Sequence, residues 1–220
     1  MKGAITFRLG LLGALFAAGC AHHPAVTDSS RRGPFFIPKN YVGEKQLPEG
    51  IRRVVLLPVH AGETAPPEQA EALDTVFVTA LERQMRFEVV TLSRVECQAS
   101  YGVPDISSAA ALPHDFLEDL GRKFGADAVM FVDITAYQPY RPIVLGIRAK
   151  LSLVSDHRLV WSFDEVFSAS NPAIENAVRR YYLDSGGGPM PLDMTTAALQ
   201  SPTRFGAYAA DAAFKTLPPR

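Results

Sequence analysis

Between Ile143 and Leu153 every second residue is apolar. Ile143, Leu145, Ile147, Ala149, Leu151 and Leu153 alternate with Val144, Gly146, Arg148, Lys150 and Ser152. A period of two over that length describes a long strand with one buried and one wet face. Ser155-Asp156-His157-Arg158 supplies a turn, after which Leu159, Trp161 and Phe163 resume the alternation. The pair reads as an antiparallel hairpin.

The rest of the chain supplies other elements. Arg53 to Val59 is a short, continuous apolar run, the form taken by a central strand covered on both faces. Pro66-Pro67 opens a helix, where the missing N–H costs nothing, and Leu73, Val76, Phe77, Ala80 and Leu81 form its stripe. Phe87 to Val90 is a second, shorter strand, so strand, helix and strand predict a right-handed βαβ unit. From Thr91 to Leu112 the chain reads as a loop, after a helical turn at Ser93–Gln98. A helix is expected from Pro113 to Phe124, closed by Gly125, and a second buried strand from Ala128 to Ile134. Asn171-Pro172 starts a further helix, striped by Ile174, Ala177, Val178, Tyr181 and Tyr182. Gly186 to Pro189 breaks the chain, and a final helix runs from about Pro202 to Thr216.

Chemistry is sparse. The sequence holds no GxSxG, HExxH, P-loop or dinucleotide fingerprint. Asp164 and Glu165 are neighbours on a strand and point to opposite faces, so they cannot act as an acid/base pair. The enzyme candidates are His60, after the C-terminal end of the first strand, with Asp133 and His114. They would make a small periplasmic hydrolase; no catalytic residue is assigned from them, because nothing in the sequence shows that they converge. His22-His23 could begin a metal site, but adjacent histidines need further ligands, and the segment reads as linker. No metal site or cofactor is expected. Tyr137, Tyr140 and Arg141 lie in a proline-stiffened turn and are the candidate partner-binding residues, since Tyr and Arg are favoured in interfaces. The plainer reading is a turn whose tyrosines cap the core.

The N-terminus carries the address. Lys2 and Arg8 precede an apolar block from Leu9 to Phe16, and Ala17-Ala18-Gly19 leads into Cys20. This order resembles a bacterial lipoprotein signal, with Ala17 where Leu is favoured. The resemblance implies a signal peptide at 1–19 and three acyl chains on Cys20. It also implies outer-membrane sorting, because Ala21 stands where Asp would hold the protein at the inner membrane. Two other readings compete: a transmembrane helix, for which about eleven apolar residues fall short of roughly twenty, and an ordinary cleaved signal leaving Cys20 to pair with Cys97. With Cys20 acylated, Cys97 stands alone and no internal disulfide is expected. Removing Lys2 and Arg8 leaves 20 basic against 23 acidic side chains, a balance that gives no global attraction to nucleic acid or to anionic membrane surfaces.

The chain divides into the signal (1–19), a flexible tether (20–50), a mixed domain (51–183), and a Gly/Pro loop with a C-terminal helix packing on that domain (184–220). Phe35-Phe36-Ile37 and Tyr41-Val42 interrupt the tether and read as a strap. From Ile51 to Tyr182 the order of elements, with Val54-Val-Leu-Leu-Pro58, Phe124-Gly-Ala-Asp127 and Leu159-Val-Trp-Ser162, resembles the amino-terminal domain of the Tol-system translocation protein B and the curli-secretion lipoproteins. That resemblance implies an α/β (α+β) domain, a mixed sheet of about five strands with helices mainly on one face. It supplies no catalytic residues. It implies a job in envelope assembly or in docking another envelope protein, which the signal places on the periplasmic side. A homo-oligomer is the other partner expected, through the exposed face or edge of the hairpin, because an unpaired edge is a pairing template. The short connections leave little chain for the membrane-barrel hairpins of the curli channels.

Overall fold

The computed structural model describes residues 33–185 and 196–220. The signal-like segment, Cys20 and the Gly186–Pro189 break lie outside the described residues. Among those described, six strands form one mixed sheet: β1 (Tyr41–Gly43), β2 (Arg53–Leu56), β3 (Glu88–Thr91), β4 (Ala128–Gln138), β5 (Val144–Leu153) and β6 (Leu159–Ser168). Their spatial order is β1-β6-β5-β4-β2-β3. From β1 to β4 the neighbours are antiparallel, whereas β4, β2 and β3 are parallel. The main helices are α1 (Pro67–Glu82), α2 (Arg94–Tyr101), α3 (Phe116–Phe124), α4 (Pro172–Ser185) and α5 (Pro202–Phe214).

The alternating stretch is β5, and its register with β6 sets Ala149 opposite Phe163 and Leu151 opposite Trp161. Leu145, Ile147, Ala149 and Leu151 are buried in one cluster with Trp161, Phe163 and Phe167. Leu73 and Phe77 of α1, Ile174 and Val178 of α4, and Phe205 and Phe214 of α5 complete it. Gly206 permits the close approach of α5 to α1, since a Cβ there would lie 2.9 Å from a Leu73 methyl. The β2–α1–β3 unit is present, with β2 and β3 parallel and adjacent.

Two expectations change. The sheet has six strands and not about five, and helices cover both faces rather than mainly one. Val55, Leu57, Val129 and Phe131 point away from the first cluster into a second, filled by Cys97 of α2 and by Phe116, Leu117 and Leu120 of α3. The continuous apolar runs of β2 and β4 demand this, because a parallel strand with apolar residues on both faces must be covered on both. The helical turn at Ser93 is a two-turn helix, started by a capping box in which Ser93 accepts from the Glu96 N–H and Glu96 accepts from the Ser93 N–H. The additional strand comes from the strap. Phe36 donates its N–H to the Ala173 carbonyl at 3.0 Å and sets its ring edge-on to Phe167. β1 then pairs with β6, and the Leu47 N–H reaches the Pro219 carbonyl at 2.8 Å. The segment read as tether thus supplies a strand, and core contacts from Phe35 onward.

Candidate functional site

The sheet offers two places where chemistry or binding could occur. The first is the C-terminal end of the parallel strands. Beyond β2 the chain continues through Val59 to His60, which makes an isolated bridge to Asp133 of β4. The His60 N–H donates to the Val132 carbonyl at 2.9 Å, and the Ile134 N–H donates to the His60 carbonyl at 2.7 Å. Their backbones are thus adjacent, but their side chains serve different loops. His60 Nδ1 lies 2.6 Å from Asp105 Oδ1. Buried Asp133 accepts the Ser108 N–H at 3.0 Å and also the Ser108 hydroxyl. Lys150 Nζ donates to the Ser108 carbonyl at 2.7 Å. His114 is not part of this cluster; it is exposed and pairs with Asp115 at 3.5 Å.

Arg94, the first residue of α2, ties the cluster together. Its Nε and one terminal nitrogen donate to the two oxygens of Asp74 at 2.7 and 3.0 Å. The other terminal nitrogen donates to Asp105 at 2.7 Å, and the Val59 carbonyl is also reached at 2.7 Å. Asp74 in turn accepts the Val59 N–H at 2.8 Å. Burial pushes the Asp74 carboxyl above its usual range, while its bonds to Arg94 and Val59 act in the opposite direction. Burial acts to lower the Arg94 guanidinium, but the carboxylates of Asp74 and Asp105 hold it above its ordinary value.

This is half of a hydrolytic constellation. A base with an orienting carboxylate is present in His60 and Asp105. Among the described residues no serine, threonine or cysteine hydroxyl or thiol bonds His60. Ser108 is occupied by Asp133, and Cys97 is buried, with burial pushing its thiol up. The arrangement fastens the segment between α2 and α3 onto the strand ends at Asp105 and Ser108. Sequence reasoning picked out His60 and Asp133 but missed Asp74, Arg94, Asp105 and Ser108. The strand-end position was a usable signal; the pairing of residues distant in the chain left none. No group of described residues could hold a metal ion.

The second place is the other half of the sheet. The apolar cluster under α2 and α3 takes residues from β2 and β4 but none from β5, β6 or β1. Beyond β4 this face carries Arg148, Lys150, Ser162, Asp164 and Val166, with Arg148 Nε bonded to Asp164 at 2.8 Å. Val42 lies opposite Ser162 and therefore shares the face. Val42 is 75% exposed and Val166 50%. β1 is also an edge. The Asp164 N–H donates to the Asn40 carbonyl and the Glu44 N–H to the Val160 carbonyl. Antiparallel alternation then turns the N–H and C=O of Tyr41 and Gly43 away from β6.

The tyrosine turn divides in the same way. Tyr137 is committed: half-buried, it donates its hydroxyl to Gln69 of α1 at 2.7 Å. Tyr140 and Arg141 are exposed, and Arg141 borders a cleft of about 310 Å³ with Pro142, Ala169, Glu175 and Leu199.

No family model matches the sequence. No curated protein matches it either. Among solved structures the chain is similar to the PelC dodecamer from Paraburkholderia phytofirmans, with 13% identity over 82% of this chain and 96% of that one, at a TM-score of 0.48. It is similar to lipoprotein GNA1162 from Neisseria meningitidis, with 18% identity over 61% of this chain and 93% of that one, at 0.44. TolB from Acinetobacter baumannii is matched at 15% identity over 69% of this chain but 32% of that one, at 0.32. At these values the likenesses assign no family, and the Tol-type and curli-type resemblance read from the sequence stays a resemblance.

Proposed function

We propose that the protein is a lipid-anchored, non-enzymatic docking or assembly lipoprotein of the bacterial envelope. Cys20 carries the acyl chains, Ala21 directs the protein to the outer membrane, and the domain faces the periplasm. Its partner is another envelope protein or a second copy of itself. The observation that carries this reading is the β1 edge, which no described strand pairs, beside the β5–β6 part of the sheet face, which no described helix covers. An unpaired edge offers backbone donors and acceptors to an incoming strand. Val42 and Val166 add apolar contact there, and the Arg148–Asp164 pair adds polar contact. The strand-end cluster, by contrast, spends its polar groups on one another.

A photo-crosslinking residue at Asn40 or Ser162, in intact cells, tests this. A discrete protein adduct is expected, and it should disappear in Val42→Lys. That substitution is at an exposed position and should change stability by no more than about 0.5 kcal/mol. A chain that yields no adduct, and co-purifies instead with a small molecule whose turnover depends on His60, would point to the hydrolase.

A further inference from the structure

The end of the sheet where β6 finishes carries features that docking at β1 leaves unused. Ser168 pairs with Val144, and the Ala169 N–H donates to the Ile143 carbonyl at 2.8 Å. Phe36 is bonded to Ala173, at the start of α4. These contacts bring the β4–β5 turn and strap residues 35–37 to one end of the domain. Tyr140 in that turn is 80% exposed, and Ile37 in the strap is 71% exposed. Phe35 lies beside them with the Arg180 guanidinium 4.9 Å over its ring. Lys39 and Arg141 are exposed as well. A cleft of about 650 Å³ opens among Phe35, Phe36, Ile37 and Glu165. The Glu165 carboxylate turns to the N–H groups of Lys39 and Asn40, at 3.3 and 3.4 Å.

Aromatic and aliphatic tips set among cations suit a phospholipid surface. Tyrosine settles at headgroup depth, aliphatic tips enter the acyl boundary, and Lys or Arg meets the phosphates. The tether decides between this occupant and a protein. Thirteen residues run from Cys20 to Arg32, the last residue before Gly33 in the chain. Fully extended they reach at most about 45 Å. A domain held at that range meets the bilayer at high effective concentration, so a weak contact is enough to seat it.

We propose that this end, with Ile37, Tyr140, Phe35, Lys39 and Arg141, is a phospholipid-contacting surface that seats the domain on the bilayer. The proposal rests on the reading of Cys20 as the lipid anchor.

Trp161 is the single tryptophan and is buried. Tryptophan introduced by Ile37→Trp or Tyr140→Trp therefore reports its own surroundings, and Val95→Trp, at an 80% exposed position on α2, is the control. The mature chain from Cys20 onward is coupled through that thiol to maleimide-headgroup lipid in phosphatidylethanolamine–phosphatidylglycerol vesicles. Cys97, fully buried, does not compete. Replacing the vesicle lipids by chain-brominated ones should cause loss of emission at positions 37 and 140 but not at 95. No loss at 37 and 140, or equal loss at all three, overturns the proposal. So does a blue shift at 37 that needs an added envelope extract, which would make this end a protein site. The coupling is chemical, so these outcomes do not depend on whether cells acylate Cys20. The intact mass of the native protein tests that separately.

Discussion

Arg94 serves three acceptors at once: Asp74, Asp105 and the Val59 carbonyl. Its side chain is 16% exposed and those of Asp74 and Asp105 are 26% and 19%. Replacing it by methionine keeps the length and removes the charge, leaving two partly buried carboxylates facing each other. Breaking a fully buried pair costs about 3–5 kcal/mol, and the residual exposure here reduces that to roughly 2–3 kcal/mol. Arg94→Met should lower the urea midpoint accordingly, and adding Asp74→Asn should recover part of the loss. Unchanged urea curves would show that the cluster is solvated and contributes nothing. None of this network was legible in the sequence. Arg94 is twenty residues from Asp74 and eleven from Asp105, and neither separation belongs to a helix or strand period. His60 and Asp133 were visible because strand ends are where α/β sheets present side chains. The orientation of their side chains depends on where the segment after α2 folds back, which no local pattern specifies.

At the scale of elements, Gly146 governs how β5 meets β4. A Cβ at this position would fall 2.5 Å from the Thr135 hydroxyl and 2.8 Å from the Ala136 nitrogen, where the β4 register shifts between Ile134 and Ala136. The irregularity brings backbone into the space that a side chain would fill. Gly146→Ala should destabilise the protein by about 1–3 kcal/mol, the range for overpacking a rigid contact, read as a lowered Tm in calorimetry. A neutral result would mean that β4 relaxes to the regular register. The β5–β6 hairpin was the most legible part of the fold, because ten-residue strands repeat the period of two often enough to be unmistakable. β1 was not legible as a strand. Three residues, Tyr-Val-Gly, carry no period, and all three are exposed. The second helical layer was half legible: the apolar runs of β2 and β4 called for cover on both faces, while the family resemblance pointed to one.

The domain leaves the β5–β6 sheet flank without cover from any described helix, so its proposed work depends on where it is held. Each buried methylene contributes about 0.8 kcal/mol; one acyl chain is marginal, and two or more hold stably. A triacylated Cys20 should therefore resist extraction by salt and carbonate, and the mature mass should carry the corresponding increment. Cys20→Ser should abolish both the increment and membrane retention, while the folded domain keeps its circular dichroism and melting behaviour. Ala21→Asp should keep the increment and move the protein to inner-membrane density fractions. The two variants separate attachment from sorting. A wild-type protein that washes off membranes without fatty acid would remove the anchor and, with it, the reason to place the uncovered flank beside envelope partners; the sheet and its ionic cluster would be unaffected.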